Sequence, residues 1–254
     1  MRTRSRYVRC SAHLVELDEG LSKPRLIVGF GHAGAGTSWI SEVTASLGPQ
    51  WGCCFALLPG RERRLREPGS KSVIASATEI SAEIELLAIP RKSTFVIFGQ
   101  SLGGLLAYET CRRLERQASQ EYVLAVLGTP APIGPPPPNE TLSDEELIGR
   151  IGSFDGCRPE SARSWLPVLR SDMKLFDEYS WGAVNPIESR IIAMRGVDDP
   201  LTTTNQMGAW QVCTRAPCSS VVTLAGAHLP TRECIACLRR MLDDHATLAQ
   251  RSDA

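Results

Sequence analysis

The stretch that most constrains this chain is residues 95–107, where the pattern of a buried strand changes into that of a helix around one serine. An apolar run at 95–98 suits a strand that is buried on both faces, and a helix-forming run follows the turn. Ser101 stands at the bend, with Gly99 and Gly103 on either side. Such a sharp turn strains the serine backbone and leaves no room for β-carbons beside it. The pattern therefore predicts that Ser101 is a nucleophile held above a sheet.

Two backbone amides are predicted to face the same reaction centre. Leu102 follows the serine and would begin the helix, so its amide can donate to a developing oxyanion. The second donor is expected in the glycine-rich loop 31–36, after the strand pattern at 26–30, and the amide of Ala33 is the candidate. The glycines of this loop match neither the phosphate-binding nor the dinucleotide-binding spacing, so we expect no cofactor.

A serine hydroxyl needs a base, and the base needs a carboxylate that orients it. His228 follows the last strand pattern, and in a doubly wound sheet the loops after the carboxyl ends of the strands gather at one edge. His228 is therefore predicted to meet Ser101 there. The carboxylate should follow the preceding strand, where Asp198 or Asp199 can supply it, in the chain order Ser, Asp, His. Two further histidines are expected on solvated faces: His13 and His245.

Strand and helix patterns alternate through most of the chain, which predicts an α/β fold with a mostly parallel central sheet and helices on both faces. At 254 residues the chain is expected to form one domain, residues 1–254. Prolines at 135–138 interrupt the alternation, and helices alone are indicated from there to about residue 186. A helical insertion at about 135–186 is typical of a lid over the carboxyl edge of the sheet.

The composition limits the partners and the compartment that we expect. Lysine plus arginine and aspartate plus glutamate both total 28, so neither nucleic acid nor an anionic membrane is a predicted partner. No apolar run reaches membrane-spanning length, and nine cysteines without a framework spacing indicate reduced thiols in a cytoplasmic protein. No metal site is predicted, because strand and helix patterns separate the side chains that could form one. Those side chains are Cys213, Cys218, Cys234, Cys237 and His228.

Several runs together resemble the type II thioesterases that accompany polyketide and nonribosomal peptide synthases, and the related medium-chain thioesterase of fatty acid synthesis. The runs are residues 31–36, 58–68, 98–104, 169–179, 196–200 and 226–228. The most specific of them begins Leu-Pro-Gly-Arg and ends Glu-Pro. The resemblance implies an α/β-hydrolase fold with a helical lid, and hydrolysis of acyl groups from the phosphopantetheine thiol of acyl or peptidyl carrier proteins. Apart from the resemblance, we expect a monomer.

The resemblance also implies roles for individual residues. Ser101, Asp199 and His228 match the catalytic triad of the family, which favours Asp199 over its neighbour as the acid. Ala33 and Leu102 match the oxyanion donors.

The chain departs from the family at two positions beside these residues. The family usually has histidine where this chain has Gln100, and proline where it has Gly31. Neither position carries the proton transfer, so the departures bear on substrate preference rather than on the presence of activity.

Two further expectations concern the binding of the acyl group and of the carrier protein. The lid segments 142–151 and 165–179 should form the acyl pocket. An arginine-bearing face is a candidate dock for an acidic carrier protein. Its members are Arg61, Arg63, Arg64, Arg112 and Arg113.

The alternatives to a thioesterase are an acyltransferase or carboxylesterase with the same triad, and a non-catalytic scaffold that binds carrier domains, which would require a broken triad.

Overall fold

The fold is built around one eight-stranded sheet. The computed structural model describes residues 7–9, 11–44, 47–87, 89, 91–92, 94–116, 120–136, 142–147, 159–182, 184–217, 220–228 and 235–243. The strands are β1 (Tyr7–Arg9), β2 (Leu14–Leu17), β3 (Arg25–Phe30), β4 (Trp51–Ala56), β5 (Thr94–Gln100), β6 (Val123–Leu127), β7 (Arg190–Gly196) and β8 (Ser220–Leu224). The helices are α1 (Thr37–Thr44), α2 (Val73–Leu86), α3 (Leu102–Leu114), α4 (Pro159–Asp177), α5 (Thr204–Gly208) and α6 (235–243).

The strand order in the sheet is β1-β2-β4-β3-β5-β6-β7-β8. The first two strands form an antiparallel hairpin at one edge, and β2 pairs antiparallel with β4. Every pairing from β4 to β8 is parallel. The α/β fold with a mostly parallel sheet is thus confirmed, and the loops after β3, β5, β7 and β8 lie at one edge.

Helices pack on both faces of the sheet. In β5, Val96 and Phe98 join one core cluster, which contains side chains of α1 and α6. The alternate residues Phe95 and Ile97 join a second cluster with α2, α3 and α4. Because successive side chains of a strand point to opposite faces, an uninterrupted apolar strand fills both clusters.

Some predicted boundaries differ from those observed. The residue pattern at 204–214 predicts one helix, and the structure has α5 followed by a 3₁₀ turn at Ala209–Cys213. That turn buries Trp210, whose indole N–H donates to the carbonyl oxygen of Thr129 over 2.7 Å. Of the first predicted lid segment, 142–151, residues 142–147 are described, and 144–147 are helical. His245, Cys218 and Cys234 lie outside the described residues.

Among the described residues there is neither a membrane-spanning helix nor a cluster of metal-ligating side chains. None of the helices in these ranges is both long and apolar enough to cross a membrane. Within the same ranges, no three or more histidine, cysteine, aspartate or glutamate side chains are grouped so that they could hold a metal ion.

Candidate active site

The nucleophile turn has the strained backbone that its sequence predicts. Ser101 lies between β5 and α3 with φ 53° and ψ −121°, in the region of positive φ that L-residues rarely adopt. Its amide donates to the carbonyl oxygen of Leu127 over 2.9 Å, and its own carbonyl accepts from the hydroxyl of Thr129 over 2.9 Å. Contacts from the neighbouring strand β6 and the loop after it therefore hold the strained residue in place.

The flanking glycines are required because backbone passes close to both. A β-carbon at Gly99 would lie 2.2 Å from the carbonyl oxygen of Gly103. A β-carbon at Gly103 would lie 2.1 Å from the carbonyl oxygen of Phe30, at the end of β3. The turn is thus pressed against the start of loop 31–36.

The two candidate oxyanion donors belong to these adjacent segments. Leu102 is the first residue of α3, is buried, and lines the same cavity as the serine. Ala33 is buried in loop 31–36, which begins where β3 meets the nucleophile turn. Their roles as donors remain predictions.

An aspartate and a histidine from two other loops meet at the same edge. Nδ1 of His228 lies 3.0 Å from Oδ2 and 3.1 Å from Oδ1 of Asp199, and both residues are buried. Asp198 is exposed instead. A carboxylate only accepts, so Nδ1 carries the proton in this contact and Nε2 is left as the proton-accepting nitrogen of a neutral ring.

The carboxylate of Asp199 is held in its ionised form. Burial by itself would raise its pKa, but hydrogen bonds from His228, Thr202 and the Leu201 amide, with the positive charge of His228, outweigh burial and lower the pKa below the ordinary 3.8. The hydroxyl of Thr202 donates over 2.7 Å and the amide of Leu201 over 2.8 Å. The acid therefore stays ionised near neutral pH and can accept the Nδ1–H of His228.

Ser101 and His228 open into one cavity of about 200 Å³. Its other lining residues are mostly apolar. They are Leu102, Gly128, Pro130, Pro136, Met173, Phe176, Pro200, Leu201 and Thr202. Met173 and Phe176 come from α4, which lies over the carboxyl edge of the sheet. Of the predicted pocket segments, 165–179 thus supplies lining residues, whereas Leu147 packs into the core.

Sequence reasoning missed a buried ion pair that joins α4 to loop 31–36. Nη2 of Arg61 lies 2.6 Å and 2.7 Å from the two carboxylate oxygens of Asp172 on α4. Arg61 also donates to the carbonyl of Ala35 over 2.9 Å, and Asp172 accepts from the amide of Gly34 over 2.7 Å. Burial raises the pKa of Asp172, and the charge and hydrogen bonds of Arg61 and the Gly34 amide oppose that rise. The only signal in the sequence was that both residues stand in runs that resemble the thioesterases.

The predicted docking face is wrong for two of its five arginines. Arg61 is 7% exposed and Arg64 is 5% exposed. Arg64 donates to the carbonyl of Leu57 over 2.7 Å and pairs with Glu67. Both side chains are held by carboxylates and backbone carbonyls because a buried guanidinium must be neutralised, so neither is available to a partner.

Breaking the buried pair is expected to destabilise the fold strongly. We expect Arg61→Met or Asp172→Leu alone to lower the free energy of unfolding by about 3–5 kcal/mol, because each leaves one buried charge unpaired. The double variant should recover much of that loss. Chemical denaturation of the two single variants and the double variant, each compared with the wild type, measures these changes in the free energy of unfolding.

The control for this cycle is a more exposed ion pair that joins α4 to another segment, residues 144–147. Arg170 lies 2.6 Å from Asp144 at side chains that are 35% and 54% exposed. Arg170→Ala should cost about 1 kcal/mol or less. Equal losses for Arg170→Ala and Arg61→Met would contradict a special role for the buried pair.

A serine on a strand-to-helix turn, with an aspartate–histidine pair after the last two strands of a parallel sheet, places the chain in the α/β-hydrolase class. The sequence profile of the Thioesterase domain family matches residues 25–240. The chain therefore belongs to the thioesterase family, whose members are hydrolases that act on thioesters.

Individual relatives agree with this assignment. The chain is 28% identical over 198 residues to a probable cadicidin biosynthesis thioesterase of Streptomyces griseus, with 75% of this chain and 54% of the relative covered. It is 29% identical over 194 residues to thioesterase PikA5 of Streptomyces venezuelae, with 73% and 68% covered. The chain thus spans about half the length of the first relative and two thirds of the second.

Solved structures share the fold. RedJ, the thioesterase of the prodiginine pathway of Streptomyces coelicolor, superposes with a TM-score of 0.73 at 25% identity, over 90% of this chain and 87% of RedJ. YbtT, a type II thioesterase of the yersiniabactin pathway, gives a TM-score of 0.78 at 21% identity, over 93% and 97% of the two chains. These matches confirm the thioesterase part of the resemblance that the sequence motifs indicate, and the type II thioesterase YbtT shares the fold.

Proposed function

We propose that this protein hydrolyses acyl groups from the phosphopantetheine arm of acyl or peptidyl carrier proteins. Ser101 is the nucleophile, His228 the general base and Asp199 the residue that orients it. The observation that carries the proposal is the buried Asp199–His228 pair, which faces the cavity of Ser101 in a chain of the thioesterase family.

The first half of the reaction acylates the enzyme. Nε2 of His228 takes the hydroxyl proton of Ser101 while Oγ forms a bond to the thioester carbonyl carbon. The amides of Ala33 and Leu102 donate to the oxyanion of the tetrahedral intermediate. The carbon–sulfur bond then breaks, and the departing sulfur receives the proton held by His228. While His228 holds this proton, Asp199 stabilises the imidazolium and itself remains an ionised carboxylate.

The second half releases the acid. A water molecule gives a proton to His228 and its oxygen attacks the acyl-serine carbonyl, again with the oxyanion facing the two amides. The bond from the carbonyl carbon to Oγ breaks, and the serine takes its proton back from His228. The carboxylic acid leaves and the enzyme is restored.

The substrate side of the proposal is supported by the cavity and by the relatives. The apolar cavity fits a hydrocarbon acyl chain, with Met173 and Phe176 as its wall on α4. Helix α4 belongs to the proposed lid insertion at about 135–186. Relatives named for cadicidin and prodiginine biosynthesis support a role of this chain in a biosynthetic pathway of that kind.

A substrate panel tests this proposal. The same acyl group is offered on a carrier protein, on free pantetheine and as a p-nitrophenyl ester, and the release of free acid is measured. We expect kcat/KM to be at least about tenfold higher for the carrier-linked thioester, because binding of the carrier adds to recognition of the acyl chain.

The alternatives give different results in the same panel. A clear preference for the oxygen ester would identify a carboxylesterase. Transfer of the acyl group to an added thiol or alcohol in place of water would identify an acyltransferase. Binding of the carrier without release of acid would identify a scaffold.

A further inference from the structure

Gln100, the residue before the nucleophile, is hydrogen bonded at both ends of its side-chain amide. Its Oε1 accepts from the indole Nε1 of Trp39 over 2.7 Å, and its Nε2 donates to the backbone carbonyl oxygen of His228 over 2.7 Å. The residue is fully buried, and both bonds lie in the interior. A single side chain thus connects α1, the end of β5 and the loop after β8.

The chemistry of its partners fixes the orientation of this amide. An indole N–H can only donate and a carbonyl can only accept, so exchanging the oxygen and nitrogen of Gln100 would break both bonds. Trp39 is itself immobilised, since its ring stacks on Phe98 with the centroids 5.7 Å apart and packs against Phe55 at 5.8 Å. The amide that reaches His228 therefore comes from a rigid support.

The bond from Gln100 holds the backbone of His228, the residue whose imidazole must reach Ser101. The imidazole is oriented by Asp199, but a side chain is only as well placed as the backbone that carries it. Residues 226 and 227 are confined beside β7, because a β-carbon at Gly196 would lie 2.1 Å from each of their carbonyl oxygens. At residue 228, Gln100 ties the backbone to the strand that carries the nucleophile.

We propose that Gln100 is a positioning residue for the general base, which fixes the backbone of His228 relative to Ser101 through its amide N–H. The inference rests on the proposed function, in which His228 activates Ser101. It assigns a role to the position where this chain differs from the usual family sequence next to the nucleophile.

The test measures how fast a fluorophosphonate reacts with Ser101, because that reaction needs the activated serine and no particular substrate. In Gln100→Leu the donor to His228 is lost, and we expect labelling to slow about 10- to 100-fold, the usual effect of removing a group that orients a reactive residue. With a p-nitrophenyl ester, kcat should fall by the same factor and KM should change less than about twofold.

Gln100→Glu separates positioning from a general loss of packing. The glutamic acid has the same shape, and its neutral form can still donate to the carbonyl of His228. The titratable residue that it contacts is His228, through the backbone carbonyl, and the imidazole of His228 pairs with Asp199. Burial raises the pKa of a carboxyl group, so the labelling rate of Gln100→Glu relative to the wild type should approach one at low pH and fall as the pH rises. The ratio for Gln100→Leu should stay low and constant with pH.

Trp39→Phe is the matched control, since it removes the other hydrogen bond of the same amide. Gln100 keeps its donor to His228 in this variant, so the labelling rate should fall less than in Gln100→Leu. Wild-type rates in Gln100→Leu, or a larger loss in Trp39→Phe than in Gln100→Leu, would overturn the positioning role. Failure of the wild-type protein to label at Ser101 would instead refute the proposed nucleophile.

Discussion

Replacing Ser101 with alanine is expected to lower kcat about 10⁶-fold, to the level that binding and oxyanion stabilisation provide without a nucleophile. The reason is that the change removes the one oxygen that forms the acyl-enzyme, while Asp199 and His228 keep their contact. The measurement is the steady-state release of acid from the carrier-linked thioester. Ser81→Ala is the control, because the hydroxyl of Ser81 is buried and donates to the carbonyl of Thr78 within α2.

The same position offers a second measurement, on stability. With φ at 53°, Ser101 keeps a conformation that costs about 1–3 kcal/mol for a residue with a β-carbon. Glycine removes that strain but loses about 0.5–1 kcal/mol of backbone entropy on folding. We therefore expect Ser101→Gly to be inactive and more stable than Ser101→Ala by about 1 kcal/mol. An active Ser101→Ala enzyme would refute the nucleophile.

Asp199→Asn is expected to lower kcat about 10⁴-fold, because an amide can present an N–H to His228 Nδ1 and stabilise the wrong tautomer. Folding should be retained, since the replacement is isosteric. Asp198→Asn is a control of identical chemistry one residue away, on an exposed side chain, and should change kcat less than about twofold. A larger loss of kcat in Asp198→Asn than in Asp199→Asn would identify Asp198 as the acid of the triad.

Asp199 also makes stability depend on pH in a defined direction. Its pKa in the folded protein lies below the ordinary 3.8, so its contribution to stability is fully present above that value. The contribution is lost as the pH falls through the lower, folded-state pKa. Acid unfolding of Asp199→Asn should lack this component.

The sequence predicted the candidate site residues that lie directly after the carboxyl ends of strands. The serine turn is defined by residues that are neighbours in the chain, and its glycines are explained by backbone oxygens within 2.2 Å of the missing β-carbons. Asp199 and His228 were found because parallel strands deliver their following loops to one edge. Whether Asp198 or Asp199 points inward depends on the turn geometry, so the residues alone left that open.

Sequence patterns failed where the contacts are long-range and polar. Arg61 and Asp172 are 111 positions apart, and Gln100 and the carbonyl of His228 are 128 apart. The periodicity of apolar residues indicates local helices and strands and carries no information about polar contacts between distant positions. A run of arginines resembles a solvated face until the fold shows which members are buried, and this is why the docking face was wrong for Arg61 and Arg64.

The link between α4 and loop 31–36 has a consequence for how substrate enters. Because Asp172 holds both Arg61 and the amide of Gly34, any swing of α4 about this point would drag the loop that carries Ala33. Moving α4 would therefore also displace the candidate oxyanion donor. Under the proposed function we expect the part of α4 around Asp172 to keep its position during turnover and to act as a fixed wall of the cavity.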